Sequence, residues 1–195
     1  MARNKLVGLG IEAWADLDRV LLGVDPDEAT KQVDGQSAFA WTLAHVTPQV
    51  DSWINVYFQH HRPHPLVNTD QFRMGSSGAA HEWQAIQRGV REVRAAAHPF
   101  LAGLRERDLN QTVPYSGSIP DLRAHGLTLR YALRWIAAHH YFHIGVVACQ
   151  RDRLGQQVGE FPGPLTECLK LLGGSEDGYR TCGTLYTRNW TMLGG

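Results

Sequence analysis

A chain of 195 residues is long enough for one domain with a full-sized core. Its 19 basic and 19 acidic side chains cancel, which removes the positive footprint of a nucleic-acid binder. No apolar run reaches the ~18 residues of a membrane span, and Glu12, Asp16 and Asp18 interrupt any secretory h-region after Arg3 and Lys5. Cys149, Cys168 and Cys182 are odd in number and form no CxxC pair, the pattern of a reduced, cytoplasmic protein.

The first predicted helix runs from about Lys5 to Leu22, with Val7, Ile11, Trp14 and Leu21 on one side, and ends at Gly23 and Pro26. A second opens after Asp34-Gly35 with Ser37 as N-cap and carries Phe39, Leu43, Val46, Val50, Trp53 and Tyr57. Pro48 lies inside it, one turn past His45, and should kink it or stop it. "QHHRPHP" then reads as a polar loop, and "GSSG" at 75–78 as a loop and cap, since neither a preceding strand nor a following Lys makes it a phosphate loop.

The third helix has the clearest period. From Ala79 to Arg107, Trp83, Ile86, Val90, Val93, Ala97, Phe100 and Leu104 recur at steps of three and four, with His81 and His98 beside that seam. The connection "DLNQTVPYSGSIPDLRAHG" is too rich in Gly and Pro for regular structure over most of its length. Thr128 then caps a fourth helix ending near Leu154 and Gly155, with the seam Leu129, Ala132, Ile136, His139, His143, Val146 and Gln150. Together these predict an all-α, up-and-down four-helix bundle over residues 1–163. A C-terminal extension follows over 164–195, with one short amphipathic helix around Thr166 to Leu172.

The fourth seam poses the chemical question, because it sets imidazoles at core positions of "RWIAAHHYFHIGVV". A buried neutral imidazole must satisfy both ring nitrogens, at roughly 1–3 kcal/mol for each one left unpaired. Residues i and i+4 project from one helix face about 6 Å apart, so His139 and His143 can converge on one divalent ion. Two nitrogens hold such an ion poorly. His45, mid-helix among Leu43 and Val46, is the candidate third ligand, whereas His60, His61, His64 and His125 fall in loops or at helix ends.

"LAHV" on the second helix, "HHYFHIG" on the fourth and "GEFPG" after it resemble the DinB-like superfamily, over roughly Leu6 to Gly163. That superfamily includes bacillithiol-dependent thiol S-transferases and mycothiol-dependent maleylpyruvate isomerases. The resemblance implies a metal bound by His45, His139 and His143 at one end of the bundle, with an open coordination position, and a homodimer. It departs at Val146, where relatives commonly carry a polar residue, often Gln, and in the segment after Gly163.

Three histidines would leave one position open on Zn²⁺ and more on Ni²⁺ or Fe²⁺. With no carboxylate among the three, the site would keep the ion's full charge and favour an anionic thiolate or enolate. The expected function is therefore a metal-dependent transferase or isomerase acting on a small molecule, with a low-molecular-weight thiol as co-substrate. The alternative is a non-catalytic, stress-related metal- or ligand-binding bundle. His140 and Gln49 are the catalytic candidates, Ser52 and Gln150 could line the same groove, and Trp41 and Trp135 stand one turn below His45 and His139 as an aromatic floor or wall. Cys149, about 120° from the His143 face, is not expected to be a ligand.

Overall fold

The computed structural model describes residues 4–156 and 158. The expected helix around Thr166 to Leu172, the remainder of the extension and the "GEFPG" stretch lie outside the described residues.

Helix α1, Lys5–Val20, starts where the Asn4 side chain accepts from the Leu6 and Val7 amides, the usual satisfaction of first-turn donors. A single turn, α2, Pro26–Ala29, is capped in the same way by Asp25. Helix α3, Phe39–Gln49, follows. Ser37 does not cap it: Ala38 occupies that position without a side-chain hydrogen bond, and the Ser37 carbonyl accepts from Gln150 instead.

Pro48 neither stops the second helix nor leaves it uniform. The chain continues from α3 directly into a π-helix, Val50–Phe58. Proline has no N–H to give the carbonyl four residues back, and a change of winding beside it relieves the broken ladder. The wide turns hold the buried Asp51 and Asn55. Asp51 accepts from the His64 amide at 2.8 Å and Asn68 Nδ2 at 3.2 Å, and Asn55 Nδ2 donates to the Val93 carbonyl at 3.0 Å. This section therefore ties the following loop and the next helix together.

Helix α4, Trp83–Gly103, buries Trp83, Ile86, Val90, Val93 and Ala97 as its period requires, while His81 precedes it rather than lying on it. The connection beyond is more regular than its composition implies. It holds a 3₁₀ segment, Glu106–Asn110, a short helix, α5, Pro120–His125, and a two-residue antiparallel pairing of β1, Thr112–Val113, with β2, Leu127–Thr128. Gly126 closes the turn at φ 84°, where an added Cβ would come 2.7 Å from Thr112 Cγ2 and 3.0 Å from the Val113 carbonyl oxygen. Helix α6, Leu129–Arg153, has Thr128 as its N-cap, accepting from the Tyr131 amide. It ends before Gly155 at φ 73°, a left-handed conformation that favours glycine.

The four long helices form an all-α bundle, but their directions do not simply alternate. Gln150 reaching Ser37 sets α6 antiparallel to α3, whereas Asn55 on Val93 and Gln59 on Ala96 set the second helix parallel to α4. Arg151, donating to the Val20 and Leu22 carbonyls, sets α1 parallel to α6. Residues 59–82 form the long crossover that this up-down-down-up order needs. The core has two sections. Leu17, Phe39, Leu43, Ile86 and Ile144 fill one, and Trp14, Ile54, Val93, Leu129 and Ile136 fill the other.

Candidate metal centre

His45 comes from the middle of α3, and His139 and His143 from successive turns of α6. Because these helices run antiparallel side by side, the three rings meet where the two core sections join. Their candidate donor atoms all lie within 4.8 Å of one another. His139 Nε2 and His143 Nε2 are 3.1 Å apart, close to the ~3.3 Å that separates two nitrogens on one tetrahedral zinc with ordinary Zn–N bonds. His45 and His143 are 4 % and 7 % exposed, and His139 is half-buried.

The tautomer of His45 follows from its surroundings. Its Nδ1–H donates to the Phe72 carbonyl at 2.6 Å. Nε2 is therefore a bare acceptor, and among the described residues this buried atom has no hydrogen-bond partner. A ring nitrogen fixed by a backbone carbonyl, with the other directed at two further imidazoles, is the arrangement that orients histidine ligands in metalloproteins. The residues present thus fit a divalent cation.

Trp41, one turn before His45, stacks on its ring at 4.4 Å and 11° between planes. The Trp41 indole N–H donates to the Gln71 carbonyl and Ser76 Oγ, at 2.9 and 3.0 Å. The same side chain thereby backs the imidazole and holds the loop that presents Phe72. That carbonyl had no signal in the sequence, because a backbone acceptor carries no residue identity.

Burial keeps the three imidazoles neutral. Desolvation lowers the His45 pKa, opposed only by the bond to Phe72. It takes His139 down to about 4, with a further contribution from His45, and His143 to about 3, with contributions from His139 and His45. Neutral imidazole is the form that binds a metal.

The other candidates are placed differently. His140, 1 % exposed, turns its Nδ1 onto the Ile136 carbonyl at 2.8 Å, and desolvation followed by the nearby charge of Arg94 takes its pKa to about 3. Gln49, with its amide nitrogen toward its own helix, donates to the His45 and Val46 carbonyls at 3.2 Å each. Ser52 accepts from Asn68 and so belongs to the loop anchor. Trp135 is 43 % exposed and joins Trp53 and Tyr131 in an aromatic cluster instead of flooring the histidines. In the "QHHRPHP" loop, His64 Nε2 meets Glu92 at 2.9 Å. Among the described residues, the only group of three or more potential metal-ligating side chains is the one formed by His45, His139 and His143.

Residues 11–147 match a family model, that of the DinB superfamily, and this span contains all three histidines. The chain belongs to the DinB superfamily. Comparisons with curated proteins and with solved structures return no match. The superfamily match ends at Val147, so Cys149, Gln150 and Arg153, on the last turns of α6, fall beyond it. No described helix of this DinB protein is long and apolar enough to cross a membrane.

Proposed function

We propose that this DinB protein is a metal-dependent enzyme that carries out thiol transfer or thiol-assisted isomerisation on a small molecule, as a cytoplasmic homodimer. The reading rests above all on His45 Nε2, buried, bare, and directed at two further neutral imidazoles. Bound there, a divalent ion such as Zn²⁺, Ni²⁺ or Fe²⁺ would supply Lewis acidity and favour a deprotonated thiol at neutral pH.

The chain's own residues set the terms for that chemistry. No carboxylate joins the described histidine group, so nothing in the ligand set offsets the positive charge, and an anionic ligand is favoured over a neutral one. The Phe72 carbonyl and the Trp41 ring fix His45 in orientation and tautomer. Low imidazole pKa values keep protons from competing for the same nitrogens.

Metal content of tag-free protein, measured by inductively coupled plasma mass spectrometry, should be about one ion per chain. It should be lost in His45→Ala and in His143→Ala while circular dichroism retains the helical signal. Cobalt-substituted protein should develop a sulfur-to-cobalt charge-transfer band when a thiol is added. Failure to bind any of the three ions after incubation would refute the reading, and binding without a thiol band would identify a non-catalytic metal-binding bundle. Sizing chromatography of the same sample tests the dimer.

A further inference from the structure

The crossover that presents the Phe72 carbonyl to His45 is held at both ends. Trp41 holds the end near Gln71 and Ser76, and the other hold comes from the far part of the same helix. Past Pro48, the π-helix buries Asp51, which is 2 % exposed. Its Oδ2 accepts from the His64 amide at 2.8 Å and from Asn68 Nδ2 at 3.2 Å, and its Oδ1 from Asn55 Nδ2 at 3.5 Å. An ionised aspartate only accepts, so one side chain meets three donors. Asn68 Nδ2 also donates to Ser52 Oγ at 2.8 Å, and the Asn68 amide closes a turn onto the His64 carbonyl at 3.1 Å. The first part of the crossover is thereby fixed to the π-helix.

Only Thr69 separates this anchor from the 3₁₀ turn Asp70–Phe72. The peptide unit after Phe72 belongs to that turn. Its N–H, on Arg73, donates to the Asp70 carbonyl at 3.2 Å, while its C=O accepts from His45 Nδ1 at 2.6 Å. The N–H and C=O of a planar trans peptide point in opposite directions, so the turn aims the carbonyl. The Phe72 ring, 3 % exposed, fixes the residue in the core, but a buried ring does not set the direction of its peptide plane. Should the turn rotate, His45 Nδ1–H loses its acceptor. The single proton of the neutral ring can then sit on Nε2, where it occupies the lone pair that a metal needs.

We propose that Asp51 is a positioning residue for His45. By anchoring the crossover through His64 and Asn68, it holds the Phe72 carbonyl where it keeps the imidazole proton on Nδ1 and leaves Nε2 bare. The helix that supplies the imidazole also supplies, six residues on, the clamp for the carbonyl that orients it. The consequence for metal affinity rests on reading the histidines as a metal centre, whereas the consequence for the tautomer does not.

The test is made on metal-free, full-length protein by long-range ¹⁵N–¹H correlation of the histidine rings, with His45 assigned by its absence in His45→Ala. The parent should show one tautomer, protonated at Nδ1. Asp51→Ala should populate both tautomers. Asp51→Asn, which keeps an oxygen for the His64 and Asn68 donors, should restore the parent spectrum. Chelator competition should then show zinc bound about tenfold more weakly by Asp51→Ala and as in the parent by Asp51→Asn. Leu109→Ala, a core truncation in the connection before α6, controls for a general loss of stability and should leave the tautomer as it is.

A single Nδ1–H tautomer in Asp51→Ala would overturn the proposal, as would equal tautomer mixing in Leu109→Ala. If Asp51→Ala does not fold, Asn68→Ala, at a half-buried loop position, decides. Mixed tautomers there uphold the anchor, and a single one sinks it. A parent that binds no zinc would refute the metal reading alone, because the tautomer comparison needs no metal.

Discussion

The two sides of α6 treat buried polar groups in opposite ways. On the side facing α1 and α4, Arg94, 2 % exposed, places Nη1 on both oxygens of Asp18 at 2.8 and 2.9 Å, with its guanidinium 5.6 Å from the Trp14 ring centre. Arg151 donates to two carbonyls at the end of α1, and His140 is bonded to Ile136. On the side facing α3, His45 Nε2, His139 Nδ1 and Gln150 Oε1 have no partner among the described residues. The α1 side has exceptions of its own in the Trp14 indole N–H and in the Tyr141 hydroxyl, the latter set against the Asp16 carboxylate, but neither belongs to a group of converging side chains. The open atoms on the α3 side are nitrogens of two imidazoles of the histidine group and the Gln150 amide oxygen on the same helix. Since a buried unpaired group costs stability, the pairings on the α1 side hold the bundle together, whereas the grouped histidines on the α3 side fit a metal ion.

The largest expected effect comes from breaking the pairings on the α1 side. Arg94→Met should lower the free energy of unfolding by about 3 kcal/mol, because it removes the hydrogen-bonded cation of the part-buried Asp18 carboxylate and leaves only the charge of Arg91 near it. Metal content per folded chain should not change. His143→Leu should do the reverse. The metal-free protein should lose less than ~1 kcal/mol or gain stability, since a desolvated imidazole is replaced by an apolar side chain of similar size. The stabilisation on adding zinc, about 2.7 kcal/mol at a hundredfold excess over Kd, should disappear. Urea melts with and without zinc distinguish the cases, and equal losses in the two variants would collapse the contrast.

Acid tests both sides together. Burial holds His140 and His143 to about 3 and His139 to about 4. Between pH 6.5 and those values the unfolded chain takes up protons that the folded chain refuses. Stability of the metal-free protein is therefore full above about pH 6.5 and falls as the pH drops through that window. His140 alone should account for about 2 kcal/mol between pH 7 and 5. Glu12 works against this. Burial, then the charge of Asp16, raises its pKa to about 7, so its folded form keeps a proton that the unfolded form releases, and its contribution is lost as pH rises between the two values. His140→Leu should flatten the curve of unfolding midpoint against pH, whereas Glu12→Gln should steepen its acid side. An unchanged slope in His140→Leu would mean that His140 is hydrated and protonates freely.

How far the sequence reached depended on where the information lies. The Thr128 cap, the Gly155 stop and the even seam of α4 were readable because single residues carry those signals. His139 and His143 were readable because their spacing alone puts them on one face. Near Pro48 the sequence showed a defect but not its resolution, since a change of winding depends on what packs around it. The order of helix directions depends on a crossover between 59 and 82 that has no local signature. The burial of His140 had no signal for a related reason: α6 is covered by α1 on one side and α3 on the other, so a position 100° off the seam is still interior. The short helix at Pro120 did have its cues, a proline in the first turn and Gly126 after the last, which the Gly and Pro content around it obscured.

The smallest effect tests how the α3 side is held in place. Trp41→Phe should keep an aromatic ring stacked on His45 but lose the indole N–H that holds the Gln71 carbonyl and Ser76 Oγ. Without that tether the segment around Phe72 is freer to move, and the carbonyl that directs His45 Nδ1–H is less firmly placed. Loss of such an outer contact typically weakens metal binding by 10–100-fold. Because Ser76 still donates to the Gln71 carbonyl at 2.7 Å, the low end, about tenfold, is expected. Competition with a zinc chelator would measure it against Trp41→Leu, which removes stacking and tether together and should cost more. If Trp41→Phe binds zinc like the parent while Trp41→Leu does not, the ring face, and not the loop, positions His45.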